Sequence, residues 1–277
     1  LALDDAEDAG LIDSELSEVW FLRGLIHKDQ GKLIAARGDF NHAISINPKN
    51  YSAFNNRGLV WAESNEHDKA IADYSESIRL NPRDGRVFSN RGNSYAKKRD
   101  FERALKDHDE AVRLSPKNFS VFYNRASAWD LKGDRDRAIA DYTQSIRLNP
   151  KYARTFHLRG TVWAKKEEFD RAISDFNEAI RLDATADSYL QRGRAWQSKK
   201  EYARAISDFA SSIGINSSSA EAFFGRGFAF AESGERKRAI ADYTEAIRLD
   251  PEYDLAHRNR AASLNALGDH AGAIEDL

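Results

Sequence analysis

Arginine and aspartate recur along the chain at regular intervals, and these residue types can bind anions or pair with each other. Each arginine of the series is followed 16 residues later by an aspartate. The arginines are 34 residues apart, with one interval of 33 between Arg159 and Arg192. A guanidinium and a carboxylate can join through two parallel hydrogen bonds. The residues are Arg23 and Asp39, Arg57 and Asp73, Arg91 and Asp107, Arg125 and Asp141, Arg159 and Asp175, Arg192 and Asp208, Arg226 and Asp242, and Arg260 and Asp276.

Two interpretations of this series are open: a ladder of anion sites, or one internal ion pair in each repeat. The internal pair is favoured, because a residue that is identical in every repeat cannot distinguish one segment of a ligand from another. If a helical hairpin turns midway between the two residues, they lie at similar height on antiparallel helices. We therefore predict structural ion pairs, among them Arg57 with Asp73, Arg125 with Asp141 and Arg159 with Asp175.

The same spacing divides the chain into repeats when each arginine is placed at repeat position 7. Self-similarity at a fixed period of this length is typical of solenoid proteins. Position 4 is aromatic in seven repeats, alanine occupies position 20 in all eight, and all five prolines fall at position 32. The repeats are 17–50, 51–84, 85–118, 119–152, 153–185, 186–219, 220–253 and the incomplete 254–277.

Each repeat has the hydrophobic periodicity of two helices. Positions 4, 7, 8 and 11 share one helical face, and positions 20, 21, 24, 27 and 28 share another. Small residues at positions 8 and 20 allow the two helices to approach closely. Polar residues and glycine around positions 14–16, such as Lys132-Gly133-Asp134, predict the turn. Proline at position 32 predicts the end of the second helix, because the residue before proline disfavours the α conformation.

This pattern resembles the tetratricopeptide repeat family over residues 17–277. The resemblance implies an all-α fold, a right-handed superhelical solenoid of tandem helix-turn-helix hairpins. It also implies a scaffold for protein–protein interaction rather than an enzyme. Residues 1–18 contain seven acidic residues and no basic one, so we interpret 1–16 as an acidic N-terminal tail or cap. An alternative is that this segment docks into a basic groove of its own or another molecule.

The resemblance also directs attention to a concave groove, which first-helix positions 2, 5, 9, 12 and 13 line in this family. In this chain those positions vary between repeats, as expected of residues that recognise a partner. An extended peptide suits this polar surface, because asparagine can bond a peptide backbone, and arginine or lysine can pair with acidic side chains or a free C-terminus. The candidate groove residues are Asn55, Ser89, Asn93, Lys97, Tyr123, Asp130, Arg154, His157, Lys165, Arg194, Phe224 and Phe228.

Two features of the groove leave alternatives open. Phe224 and Phe228 could anchor apolar side chains of a partner, or meet a cap or a neighbouring copy of the chain in self-association through the end repeats. Some family members bind chaperone tails through a carboxylate clamp, and Asn93, Asn124 and Arg154 match three of its places. Ser89 and Leu158 stand where the clamp has basic residues, so a chaperone tail is not the favoured ligand.

The composition excludes several functional classes. The chain has no cysteine, which excludes disulfides, thiol catalysis and thiolate metal sites. Its seven histidines lack metal-binding spacing, and nucleophile-elbow, phosphate-loop and dinucleotide motifs are absent, so we expect no cofactor and no metal. A formal net charge of −2 disfavours a nucleic-acid partner. No apolar run approaches the roughly 20 residues of a membrane helix.

The main hypothesis is a soluble, cytoplasmic scaffold that binds a peptide-like segment of another protein in the groove. The alternative is that the chain is the substrate-recruiting arm of a larger multidomain enzyme. RNA binding is a third class, as in related helical repeats, but acidic residues such as Glu18, Asp29 and Glu63 argue against a basic groove.

Overall fold

The computed structural model describes the backbone of residues 2–276 and the side chains of residues 16–276, and all regular structure in this range is α-helical. The chain divides into two compact units, Leu1–Leu148 and Asn149–Leu277. The first unit contains α1 (Ala2–Asp29), α2 (Leu33–Ile46), α3 (Tyr51–Glu63), α4 (His67–Leu80), α5 (Gly85–Lys97), α6 (Phe101–Leu114), α7 (Phe119–Lys132) and α8 (Arg135–Leu148). The second contains α9 (Ala153–Lys165), α10 (Phe169–Leu182), α11 (Ala186–Ser198), α12 (Tyr202–Ile215), α13 (Ala220–Glu232), α14 (Arg236–Leu249), α15 (Asp254–Ala266) and α16 (His270–Glu275).

Consecutive helices pair as hairpins, one for each predicted repeat, and the predicted all-α fold of tandem hairpins is confirmed. The acidic segment 1–16 falls largely outside the described side chains, which begin at Leu16. Its backbone from Ala2 onward belongs to α1. Its interpretation as a tail or cap therefore stays a prediction.

The turn inside every hairpin contains one residue with a left-handed backbone at repeat position 15. Glycine occupies it at Gly31, Gly133, Gly234 and Gly268, where φ lies between 72° and 94°. The other four turns place Asn65, Arg99, Glu167 and Lys200 there, with φ of 61–62°. A side chain in this conformation brings Cβ close to the following carbonyl oxygen, which glycine avoids. The prediction of a turn from the sequence was correct, but four of the eight turns form without glycine at this position.

The second helices end where the sequence predicts, one residue before the asparagine, aspartate or serine that precedes position 32. Asn81 follows α4 in a non-helical conformation and Asp183 follows α10 in an extended one. The linker after α4 spans 81–84, whereas the linker after α10 lacks proline and spans only 183–185. Thr185 caps α11 by accepting a hydrogen bond from the backbone N–H of Ser188. Helix α11 therefore has a capped N-terminus even though the linker before it is shorter.

The core of six hairpins contains a close contact between a first-helix glycine and a second-helix aromatic ring, and the fourth and eighth hairpins have Ala126 and Ala261 at the glycine position. A Cβ at Gly58 would lie 2.6 Å from Cε1 of Tyr74, so only glycine fits there. Alanine at position 20 is buried throughout, as at Ala70 and Ala104. The next hairpin then packs on the same second helix: Ala70 and Tyr74 of α4 form one cluster with Val87 of α5. Burial of these apolar groups stabilises both the hairpin and its junction with the next hairpin.

Histidine stands at two packing positions where most other hairpins have an aromatic residue, position 24 in the third hairpin and position 4 in the eighth. His108 of α6 is fully buried, and neither ring nitrogen has a hydrogen-bond partner among the described residues. Burial, with a smaller contribution from Arg125, lowers the pKa of His108 to about 4. His257 of α15 is instead paired, with Nδ1 3.0 Å from a carboxylate oxygen of Asp276. Because burial lowers its pKa, His108 is neutral in the core of its hairpin at neutral pH.

Candidate functional site

The repeated arginine and aspartate lie opposite each other across every hairpin. Arg57 donates from Nε and Nη2 to the two carboxylate oxygens of Asp73 at 2.7 and 2.6 Å. Arg125 binds Asp141 in the same way, both distances being 2.7 Å, and Arg159 binds Asp175 at 2.8 and 2.7 Å. All eight aspartate side chains are nearly buried. A buried carboxylate that already accepts two arginine hydrogen bonds has no free face for a ligand.

The pairs of the first and last hairpins differ from the pair of the fifth hairpin in the pKa of the aspartate. Burial raises the pKa of Asp175, against the opposing effect of Arg159. Asp276 shows the reverse, because hydrogen bonds from Arg260 and His257 lower its pKa. In the first hairpin burial again opposes ionisation of Asp39, but Arg23 and His27 outweigh it and lower the pKa. A histidine at each end thus reinforces the ionised carboxylate.

The arginines also connect neighbouring hairpins, which sequence reasoning did not predict. The remaining guanidinium nitrogen, Nη1, donates to repeat position 25 of the preceding hairpin. Arg57 donates to Asn41 Oδ1 at 2.7 Å, and Arg91 to Ser75 Oγ at 3.0 Å. The same bond joins Arg125 to Asp109, Arg192 to Asn177 and Arg260 to Thr244. A sequence signal exists, because position 25 carries an oxygen acceptor in these repeats.

A polar cleft of about 460 Å³ lies in the first unit along the first helices α1, α3, α5 and α7. Asparagine is the commonest residue type in its wall, at Asn55, Asn56, Asn90, Asn118 and Asn124. Two of them bond across adjacent hairpins. Asn90 Nδ2 donates to Asn55 Oδ1 at 3.1 Å, and Asn124 Nδ2 donates to Ser89 Oγ at 2.8 Å. These bonds hold the amides in fixed orientations along the cleft.

The predicted groove residues of the first unit take different roles around this cleft. Asn55 and Ser89 line it, but Ser89 is nearly buried and positions Asn124 rather than facing solvent. Asn93 and Lys97 are exposed on α5 and do not line it. Tyr123 is half-buried with its ring edge against Tyr142, at 6.1 Å between centroids. Asp130 is half-buried near the end of α7.

Sequence reasoning missed Asn56 and Asn90, which line the cleft at repeat position 6 together with Asn124. Asn124 was named only as a match to the carboxylate clamp, and the five groove positions implied by the family resemblance do not include position 6. A signal was nevertheless present, since asparagine stands at that position in three consecutive repeats.

A second cavity, of about 580 Å³, lies within the second unit between the start of α9 and the linker to α11. Arg154 and His157 of the predicted set line it, together with Asp187 and Ser188. His157 Nε2 lies 3.1 Å from Asp187 Oδ2, and its Nδ1 lies 3.0 Å from Ser188 Oγ. The hydrogen bond from His157 lowers the pKa of Asp187, so this carboxylate stays ionised at neutral pH.

Serine, histidine and aspartate thus meet in this cavity, as they do in hydrolases that use a serine nucleophile. Ser188 is only 2% exposed, and its Oγ also accepts a hydrogen bond from Thr185 at 2.9 Å. A nucleophile must reach the substrate carbonyl, and a buried hydroxyl at a helix start cannot. The arrangement caps α11 and anchors it to α9.

The remaining predicted groove residues of the second unit are largely engaged within the chain. Arg194 pairs with Glu221 at 2.8 Å. The Phe224 ring packs between Tyr243 and Tyr253, with centroids 5.8 and 5.0 Å away. Phe228 is half-buried on α13, and Lys165 is exposed at the end of α9. These contacts reduce both the positive charge and the apolar surface that the sequence suggested.

Neither a metal site nor a membrane helix is found in the described part of the chain. No group of three histidine, aspartate or glutamate side chains there could hold a metal ion. No described helix combines the length and apolar composition that crossing a bilayer demands.

Family comparison identifies the repeat. Tetratricopeptide repeat models match residues 17–50, 51–84 and 220–253, and a further model of the same repeat matches 89–153, 131–187 and 157–220. Together these matches cover most of the chain. The chain belongs to the tetratricopeptide repeat family. No protein of curated function matches its sequence.

Several solved structures share the fold. One is YrrB, a tetratricopeptide repeat protein with an unusual peptide-binding site, at 23% identity and a TM-score of 0.58 over 66% of this chain and 95% of that one. Pseudomonas aeruginosa pilF matches at 20% identity and a TM-score of 0.67 over 76% and 96%. A repeat protein from Parabacteroides merdae matches at 18% and 0.64 over 90% and 99%. At these identities the likeness shows the fold alone.

Proposed function

We propose that the chain is a protein-interaction scaffold whose asparagine-lined cleft in the first unit binds an extended peptide segment of a partner. The tetratricopeptide repeat fold supports the scaffold role, and the cleft supports the peptide. A peptide backbone offers an alternating series of N–H donors and C=O acceptors, and an asparagine amide can satisfy one of each. The single observation that carries the proposal is the row of oriented amides at Asn55, Asn90 and Asn124.

The cleft suits recognition of a backbone more than of acidic side chains. Two charged residues line it, Arg86 and Asp84, and they form an ion pair with each other at 2.8 Å, so their charges cancel. Lys97 and Asn93 lie beyond it on α5, where they could contact side chains that leave the cleft. A preference for acidic residues or for a free C-terminus would come from Lys97 and, in the second unit, from residues near Arg154.

The scaffold is proposed to have no catalytic activity. The Ser188, His157 and Asp187 arrangement contains a buried hydroxyl, which supports a structural role. The alternative of a recruiting arm in a larger enzyme receives no support from the comparisons. Self-association through the end repeats and a cytoplasmic location also stay predictions.

Peptide selection tests the proposal directly. A library of extended decapeptides displayed on phage is selected on the wild-type chain, and the affinities of the recovered peptides are measured on variants. The triple variant Asn55→Ala, Asn90→Ala, Asn124→Ala should bind them at least about tenfold more weakly, which corresponds to about 1.4 kcal/mol. The control Glu102→Ala, Lys106→Ala changes exposed residues of α6 and should bind as the wild type does.

Unchanged affinity in the asparagine variant would refute the cleft as the binding site. Circular dichroism of the same samples separates a loss of affinity caused by the missing amides from one caused by misfolding. A second comparison, Lys97→Ala, asks about charge: a loss confined to acidic peptides supports the predicted preference, and equal loss for neutral and acidic peptides contradicts it.

A further inference from the structure

One face of α1 is apolar and uncovered. Val19, Leu22 and Ile26 are exposed by 61%, 50% and 56%, and their spacing places them on a single helical stripe. Val19 and Ile26 occupy repeat positions 3 and 10. In the next three hairpins the residues at these positions are at most 2% exposed: Ala53, Val60, Val87, Ser94, Val121 and Ala128. The stripe on α1 is therefore the same surface that other hairpins bury.

The second helix of the preceding hairpin covers this surface elsewhere in the first unit. Ala36 and Phe40 of α2 form a cluster with Val60 of α3. Ala70 and Tyr74 of α4 form the equivalent cluster with Val87 of α5. The covering helix thus presents alanine and, four residues later, an aromatic ring. Among the described residues, no helix occupies this place on α1.

Arg23 supplies an independent sign that a helix belongs there. Its side chain is 51% exposed, whereas Arg57, Arg91 and Arg125 are 19–21% exposed. Those three arginines each donate from Nη1 to the residue directly after the aromatic ring of the covering helix. Nη1 of Arg23 has no acceptor among the described residues.

We propose that this face of α1 binds an amphipathic α-helix of a partner protein. The partner helix carries alanine, an aromatic residue four positions later, a hydrogen-bond acceptor directly after it, and a small residue two positions beyond that. This is the pattern of Ala36, Phe40, Asn41 and Ala43 in α2, and of Ala70, Tyr74, Ser75 and Ser77 in α4. The ring and small residues cover Val19 and Ile26, and the acceptor bonds Arg23 Nη1. Recognition of an apolar helix face by a matching apolar surface is an established mode of peptide binding.

The test uses a synthetic helix of known sequence. A helix-stabilised peptide of residues 67–80 carries the full pattern, and its binding to the whole chain is followed by fluorescence anisotropy. We expect saturable binding with Kd below about 1 mM. A peptide with Tyr74→Ala should bind at least about tenfold more weakly, and one with Ser75→Ala severalfold more weakly. The peptide variants leave the protein unaltered, so misfolding cannot explain a loss.

The matched protein variants are Ile26→Glu and Ile34→Glu. Ile34 is 79% exposed on α2, at repeat position 18, where other hairpins have exposed acidic residues such as Asp68. Ile26→Glu should abolish binding of the helical peptide, and Ile34→Glu should not change it. Equal binding by both variants, or no binding by the wild type, would overturn the proposal.

Sedimentation separates a partner helix from a second copy of this chain. A wild-type dimer that Ile26→Glu abolishes and Ile34→Glu retains would assign the face to self-association and overturn the proposal. The cleft is tested independently, because the triple asparagine variant should bind the helical peptide like the wild type. Failure of one site therefore does not imply failure of the other.

Discussion

Arg192 donates from Nη1 to Asn177 Oδ1 across 2.7 Å, and this bond joins the sixth hairpin to the fifth. The same guanidinium pairs with Asp208 inside its own hairpin. One side chain therefore stabilises both a hairpin and a junction, which is how nearest-neighbour coupling arises in a repeat array. The next junction breaks the pattern, because Ala210 stands where Asn177 stands one repeat earlier. Among the described residues, Arg226 donates side-chain hydrogen bonds to Asp242 only.

Ala210→Asn should therefore stabilise the chain. The new amide oxygen can accept from Arg226 Nη1, and a hydrogen bond to a charged group contributes about 1.5–3 kcal/mol. Asparagine costs the helix roughly 0.6 kcal/mol relative to alanine. A net gain of about 1 kcal/mol should raise the melting temperature by about 2 °C or more. Ala203→Asn, also exposed on α12, is the control and should show only the helix cost. Equal effects of the two substitutions would contradict the bond.

Asp141→Ala should lower stability much more than it lowers affinity for peptides. The substitution leaves the Arg125 guanidinium half-buried without its main partner, at a cost of about 3–5 kcal/mol. Asp141 does not line the cleft, so the affinity of a selected peptide should stay within about twofold. Thermal unfolding measures the stability and peptide titration measures the affinity, both on the same preparation. Glu110→Ala, which breaks an exposed pair with Arg113, is the control and should hardly change the melting temperature. An unchanged melting temperature in Asp141→Ala would refute a structural role for the pair.

The left-handed residues at repeat position 15 predict one substitution that stabilises the chain and one that destabilises it. Glu167 has φ of 62° and is exposed, so Glu167→Gly relieves a strain of about 1 kcal/mol, partly offset by the entropy of glycine. A gain of roughly 0.5 kcal/mol is expected. Gly133→Ala should be destabilising by about 1 kcal/mol, although nothing lies within 4 Å of the added Cβ. Asn65→Gly should change little, because asparagine tolerates this conformation. Denaturant midpoints measure all three, and the same sign for Glu167→Gly and Gly133→Ala would contradict the strain argument.

The hairpins were predictable because their determinants are local. The helical period, Ala70 at a helix contact and proline after the second helix each act within one repeat. The contacts between repeats were not predicted, because they depend on which side chains face each other across a junction. Asn41, Ser75 and Asp109 look unrelated in sequence until their shared position beside an arginine is seen. The cleft was predicted only in part for the same reason: Asn90 acquires its role from Asn55, 35 residues earlier.

His108 gives the chain an acid-sensitive core that a phenylalanine would remove. The unfolded histidine has its usual pKa near 6.5, and burial lowers the folded value to about 4. Because the unfolded chain then binds the proton more tightly, stability is full above about pH 6.5 and falls as the pH drops towards 4. The loss is about 1.4 kcal/mol for each pH unit in that window. Phenylalanine does not titrate, so His108→Phe should not show this loss.

The substitution should also stabilise the chain at neutral pH. Both ring nitrogens of His108 are buried without a partner, and an unsatisfied buried polar group costs about 1–3 kcal/mol. The site accepts a phenyl ring, because Phe176 packs against Gly160 just as His108 packs against Gly92. Urea unfolding at pH 7 and pH 5 should therefore show that His108→Phe exceeds the wild type in free energy of unfolding by more at pH 5 than at pH 7. The exposed His270 provides the control, since His270→Gln should give no such widening. An advantage that is equal at both pH values would mean that His108 is not neutral and buried in the folded chain.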